Sequence, residues 1–108
     1  MGVRVANLTN VRAFMVEPDF RLDPIFVVLH DVTPGVGRLV VECFGEAWSG
    51  YWGAMGDRTL EQFLRHCDTD YITDSMIRRR SKVLKRDEDY LRRIVLAVKE
   101  ALEVVYGG

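Results

Sequence analysis

The chain has 108 residues and a mass of 12.4 kDa, which suffices for one hydrophobic core and not for two. We therefore expect residues 1–108 to form a single domain. Apolar residues make up 48% and charged residues 29%, so disordered and fibrous classes are excluded. The net charge of −1 balances 15 basic against 16 acidic side chains, and no overall field draws the protein to nucleic acid or to an anionic membrane.

The sequence predicts a cytoplasmic protein that does not enter a membrane. The N-terminus lacks the apolar core of a signal peptide, and the longest apolar runs, such as Ile25–Leu29, are too short to span a bilayer. The two cysteines, Cys43 and Cys67, lie far apart in unlike surroundings. We expect them to be buried thiols in a reducing compartment, although a disulfide between them is an alternative.

Strands are predicted in the first half of the chain. Residues Val3–Leu8 and Val11–Val16 are two candidates, the first with poor alternation. The clearest strands are Ile25–Asp31 and Arg38–Phe44, which form an antiparallel hairpin around a loop of about five residues. Within that loop, Pro34-Gly35 predicts a type II turn. Gly45 predicts a bulge or bend, after which residues 46–52 continue the strand.

Helices are predicted in the second half. Thr59 and Gln62 form a capping box ahead of an apolar stripe at helical spacing. Asp68–Asp70 indicates a second cap and a short helix, and three acids at Asp87–Asp89 begin a long final helix. Strands followed by helices predict an α+β fold, in which a small antiparallel sheet with its central hairpin at about residues 25–44 carries two or three C-terminal helices on one face.

An aromatic cluster, Trp48, Tyr51 and Trp52, is one candidate site for binding a partner, because Trp and Tyr combine a large apolar body with a polar tip. On a strand the two tryptophans share one face and Tyr51 takes the other. Two interpretations stay open at this stage. The tryptophans fill the core between sheet and helices, or the cluster contacts a partner; Tyr51 is the member that favours the second.

A second candidate is a basic run that would contact nucleic acid or an acidic protein. An acidic triplet follows the run at once, which is also typical of an ordinary solvated surface. The candidate contact residues are Arg78, Arg79, Arg80, Lys82, Lys85 and Arg86.

No pattern in the sequence points to catalysis or to a cofactor. The glycines before Thr59 lack the spacing of a phosphate-binding loop. His30, Cys43, His66 and Cys67 lack the spacing of metal ligands. We therefore expect a protein that is not an enzyme and that uses no metal or cofactor.

The string A-W-S-G-Y-W-G-A-M-G at residues 47–56, with the helix after it, resembles a family of small accessory proteins from tailed phages and prophages. The hairpin and the closing Tyr90–Val95 helix share this resemblance, which extends from about Asp23 onward. It implies a phage accessory protein in the cytoplasm of a bacterial host. The expected function is binding of a host or phage protein, for instance to block or redirect a defence or replication complex. The alternatives are nucleic-acid binding through residues 78–86 and, for assembly, a homodimer.

Overall fold

The computed structural model describes residues 2–18, 21–78, 80 and 82–107. These residues form four antiparallel strands followed by three helices, and the sheet order β1-β2-β3-β4 follows the chain. The predicted α+β fold is confirmed, and the predicted hairpin supplies the two central strands. The elements are β1 (Val11–Val16), β2 (Ile25–Thr33), β3 (Val36–Cys43), β4 (Glu46–Trp52), α1 (Leu60–His66), α2 (Thr69–Ile77) and α3 (Lys85–Tyr106).

The sheet buries one face under the helices. Strand pairing places Val27 beside Val41, and Val41 beside Trp48, so alternate residues of neighbouring strands share this face. They meet the apolar stripes of the helices in one core, which includes Ile25, Val27, Leu29, Leu39, Val41, Trp48, Trp52, Leu60, Leu64, Ile72, Met76, Leu91, Ile94, Val95, Val98 and Leu102. We call the opposite side of the sheet the open face.

Two tight turns connect the central strands. Thr33 pairs with Val36, so the first loop is the two residues Pro34 and Gly35 rather than the predicted five. Gly35 has a φ of +82°, as the predicted type II turn requires. The interpretation of Gly45 was wrong. Phe44 and Gly45 both have positive φ, 51° and 78°, which is the signature of a type I′ hairpin turn, and the chain reverses there into β4.

The first predicted strand, Val3–Leu8, is also wrong. The backbone over residues 2–8 has no regular structure, and Val3 and Val5 are 90% and 85% exposed. An isolated strand gains nothing without a partner, and β1 already occupies the place beside β2. We call residues 2–8 the N-terminal arm.

The predicted starts of α1 and α2 are confirmed, whereas α3 begins at Lys85, two residues before the acidic triplet that was expected to begin it. The Thr59 N–H donates to Gln62 Oε1 at 3.0 Å and the Gln62 N–H donates to Thr59 Oγ1 at 3.4 Å, completing the capping box of α1. Asp31, from the end of β2, accepts a 2.7 Å bond from the Leu60 N–H and so ties this helix to the sheet. Asp68 caps α2 by accepting a 2.8 Å bond from the Tyr71 N–H.

Polar contacts also join the helices to one another. The Arg65 guanidinium donates to both carboxylate oxygens of Glu103, at 2.9 and 3.2 Å, and thereby links α1 to the end of α3. This bond holds the pKa of Glu103 below its ordinary value.

Both cysteines are free thiols, Cys43 buried and Cys67 half-buried. The expected buried thiol is thus found at Cys43, Cys67 is less buried than expected, and the alternative of a disulfide is wrong. Partial burial raises the pKa of Cys67.

Candidate functional site: an aromatic groove beside strand β4

Strand β4 divides the predicted aromatic cluster between the two faces of the sheet. Trp48 and Trp52 are only 3% and 6% exposed and belong to the core. Tyr51 lies on the open face and is 44% exposed. Within the described part of the chain, the indole N–H groups of both tryptophans find no acceptor, so apolar burial holds these rings in place. Of the three predicted residues, Tyr51 is the one whose side chain a partner can reach.

The members of the basic run also lie in different surroundings, and Arg80 is bound to strand β4. Its guanidinium carbon lies 3.6 Å from the centroid of the Trp48 ring, a stacking distance. It also pairs with Glu46 at 2.8 Å and donates to the carbonyl of Ala47. Arg80 therefore fastens the chain after α2 onto the edge of the sheet, which is a structural role.

The other members of the run lie in different settings. Lys85 forms an ion pair with Asp89 at 3.1 Å, one helical turn ahead in α3. Arg78, Lys82 and Arg86 are exposed. Arg79 lies outside the described residues. The described members of the run therefore differ: Arg80 is bound to the edge of the sheet, whereas Lys85 is exposed and pairs with Asp89 at the surface.

A shallow groove of about 320 Å³ brings Tyr51 and Arg78 together. It lies where the end of β4 meets α1 and α2. We call it the aromatic groove and define it by six of its side chains, namely Tyr51, Trp52, Phe63, Tyr71, Ser75 and Arg78. The structure thus joins two residues of the predicted aromatic cluster, Tyr51 and Trp52, and one of the basic run, Arg78, in a single depression of the surface.

Ring contacts hold the wall of the aromatic groove. Phe63 lies 6.0 Å from Trp52 and 6.3 Å from Tyr71 between ring centroids, the second pair in an edge-to-face arrangement. Tyr71 is 46% exposed at the rim. A floor of buried Trp52 and half-buried Phe63 thus carries two tyrosines that reach solvent. Rigid aromatic side chains of this kind lose little conformational entropy when they bind.

The charge of the aromatic groove is positive. Among the residues that the structure describes, Arg78 is the charged side chain of its lining. Arg38, the neighbour of Tyr51 across the open face, holds its guanidinium carbon 5.9 Å from the Tyr51 ring centroid. One arginine in the lining and a second beside the Tyr51 ring favour an acidic or aromatic ligand group.

Sequence reasoning missed Phe63 and Tyr71 as members of this site. Phe63 falls in the apolar stripe of α1, and Tyr71 follows the cap of α2, so both are explained by helix formation alone. Their position beside Tyr51 depends on how α1 and α2 pack against β4, which local spacing does not encode. The signal that could have found them is their aromatic character close to a helix start.

No group of three or more His, Cys, Asp or Glu side chains among the described residues is arranged to hold a metal ion. Within the same residues, no helix combines the length and the apolar character that crossing a bilayer requires.

A family model described as a phage family matches residues 1–99. The chain belongs to this phage family. The match begins at residue 1, so the N-terminal residues are part of the family's sequence, and our expectation that the resemblance starts near Asp23 was too narrow. No curated protein and no solved structure gives a significant match.

Proposed function

We propose that this phage protein acts by binding another protein through the aromatic groove, and that it is not an enzyme. The observation that carries the proposal is the exposure of Tyr51 and Tyr71 at the rim of a groove whose charged lining residue is Arg78. Tyrosine and arginine are enriched among residues that dominate binding energy, and here they surround an apolar floor. A host or phage protein in the bacterial cytoplasm is the proposed partner.

The groove's chemistry narrows the proposed partner to a segment that carries an acidic side chain beside an apolar or aromatic one. Arg78 would pair with the carboxylate, and the tyrosines would cover the apolar part. A groove of about 320 Å³ accommodates a few side chains rather than a whole domain surface. In this proposal the protein blocks or redirects a host defence or replication complex by occupying such a segment.

The test is recovery of partners from phage-infected cells with three purified forms of the protein. These are the wild type, Tyr51→Ala, and Ser49→Ala as a matched control that truncates another exposed residue on the same side of β4. A partner retained by the wild type and the control, and lost with Tyr51→Ala, supports the proposal. Identical recovery by all three forms contradicts binding at Tyr51.

A second candidate function is nucleic-acid binding, which the exposure of Arg78, Lys82 and Arg86 favours. Exposed tyrosines beside cations also suit stacking of unpaired bases. Binding to single-stranded and double-stranded DNA should be titrated with salt, and a Lys82→Glu and Arg86→Glu variant should be compared with the wild type. A steep loss of binding with salt that the variant abolishes supports this function. Absence of binding at low salt eliminates it.

A further inference from the structure

A second surface groove lies on the opposite side of the molecule, between edge strand β1 and the last turns of α3. It has a volume of about 550 Å³. Its apolar lining comes from both elements, and two acids, Glu17 and Glu100, also line it. The principal apolar residues are Phe14, Val16, Ala97, Ala101, Val104 and Val105.

Strand β1 is an edge strand. Within the described part of the chain it pairs with β2 and with no other strand, and it lies at one end of the four-stranded order. At the opposite edge of the sheet, Arg80 donates to the Ala47 carbonyl and so covers one acceptor of β4. An unpaired edge beside an apolar groove is a template for an added strand.

The N-terminal arm has the sequence such a strand needs. Val3, Val5 and Leu8 are 90%, 85% and 61% exposed, although they are among the most apolar residues of the chain. The arm contains one charged residue, Arg4, and no acid. Its seven residues, at about 3.3 Å each, match the length of the six-residue β1.

The arm does not readily fold back onto its own β1. The chain bends at Thr9 and Asn10, directly before β1. A two-residue hairpin of type I′ or II′ needs positive φ at its first central residue, which here would be Thr9. Thr9 is β-branched and resists that conformation. The occupant of the groove therefore comes from another molecule.

We propose that two copies of this protein exchange their N-terminal arms, each arm adding an antiparallel strand to the β1 edge of the other copy. The two-fold axis passes between Thr9 and Asn10, where the bend interrupts the alternation of side chains, and it pairs Val3 with Val16 and Val5 with Phe14 of the partner copy. Phe14 and Val16 lie beside Val27 and Ile25 on the helix side of the sheet. Val3 and Val5 then enter the groove against α3.

The same register also brings opposite charges close together and pairs apolar residues on the open face. Arg4 lies opposite Met15 and diagonally beside Glu17, within reach of an ion pair. Ala6 lies opposite Ala13, and Leu8 lies opposite Val11, all on the open face. Asn7 lies opposite Arg12. The arrangement leaves the aromatic groove uncovered, so it is independent of the proposed function.

Sedimentation over a wide concentration range tests the exchange. The wild type should be a dimer at high concentration. Val5→Asp removes a buried valine from each of the two equivalent sites and should weaken the dimer about a hundredfold. Asn7→Asp adds the same charge to the same arm but opposite Arg12, and should leave the dimer intact. A monomeric wild type, or equal effects of the two variants, overturns the proposal.

A disulfide test distinguishes exchange from folding back. Ala6 and Ala13 are both exposed, so cysteines at these positions leave the core unchanged. Mild oxidation of the Ala6→Cys and Ala13→Cys double variant should give a covalent dimer on a non-reducing gel. An Asn7→Cys and Ala13→Cys control should give none, because position 7 points to the other side of the strand. An intrachain disulfide in a species of monomer mass overturns the exchange.

Discussion

Replacement of Arg80 by alanine should destabilise the fold, although Arg80 belongs to a run of cations that suggests a binding surface. The substitution removes the stack on Trp48, the ion pair with Glu46 and the bond to the Ala47 carbonyl. The stack contributes about 1 kcal/mol, the partly exposed ion pair about 0.5 kcal/mol and the charged hydrogen bond about 1 kcal/mol. We expect the free energy of unfolding to fall by about 2 to 3 kcal/mol.

Urea unfolding followed by tryptophan fluorescence measures this loss. Arg80→Lys keeps the charge but loses the planar stack, and should fall between alanine and the wild type. Lys82→Ala and Arg86→Ala serve as controls in the same run and should change stability by less than about 0.5 kcal/mol. If Arg80→Ala unfolds at the same urea concentration as these controls, the structural role assigned to Arg80 is wrong.

Two further predictions concern the core. Gly50→Ala should destabilise the protein by about 1 to 3 kcal/mol in thermal unfolding, because a Cβ at position 50 would lie 2.5 Å from the Trp52 ring. A Cβ at position 53 would lie 3.7 Å from the nearest side-chain atom. Gly53→Ala is therefore the control and should be almost neutral. Burial, reinforced by a 3.2 Å bond from its hydroxyl to Cys43, raises the pKa of Tyr90 to about 12. Tyr90 has the lower pKa in the unfolded chain and ionises there first. The contribution of neutral Tyr90 to the stability of the fold is therefore complete below a pH of about 10 and is lost between about 10 and 12. Tyr90→Phe should reduce this alkaline loss, and an unchanged pH dependence would show that Tyr90 does not cause it.

Much of the fold could be predicted from the sequence because its signals are local. The capping box at Thr59, the cap at Asp68 and the apolar stripe of α3 each depend on residues within a few turns. The central hairpin was found for the same reason. The errors occurred where local chemistry is ambiguous. A type I′ turn normally carries Asn-Gly or Asp-Gly, and Phe44-Gly45 gives no such signal.

The candidate site was less predictable because it depends on contacts between distant segments. Trp48 and Trp52 could be assigned to one face by alternation, but nothing local indicated that Arg80 stacks on Trp48 from 32 residues away. Arg80 and Lys82 look equivalent in sequence, yet the first is bound to β4 and the second is exposed. The difference comes from the contacts of Arg80 with Glu46, Ala47 and Trp48, which lie more than 30 residues earlier in the chain.

The most direct test of the binding role is the affinity for a recovered partner, measured by calorimetry with wild-type protein, Tyr51→Ala and Ser49→Ala. Loss of an exposed aromatic residue at the centre of an interface costs about 2 kcal/mol, and Tyr51→Ala should therefore bind about thirtyfold more weakly. Ser49→Ala should bind like the wild type, and thermal unfolding should show that all three forms are folded at the temperature of the binding measurement. Equal affinity of Tyr51→Ala and the wild type would contradict the assignment of the aromatic groove as the binding site.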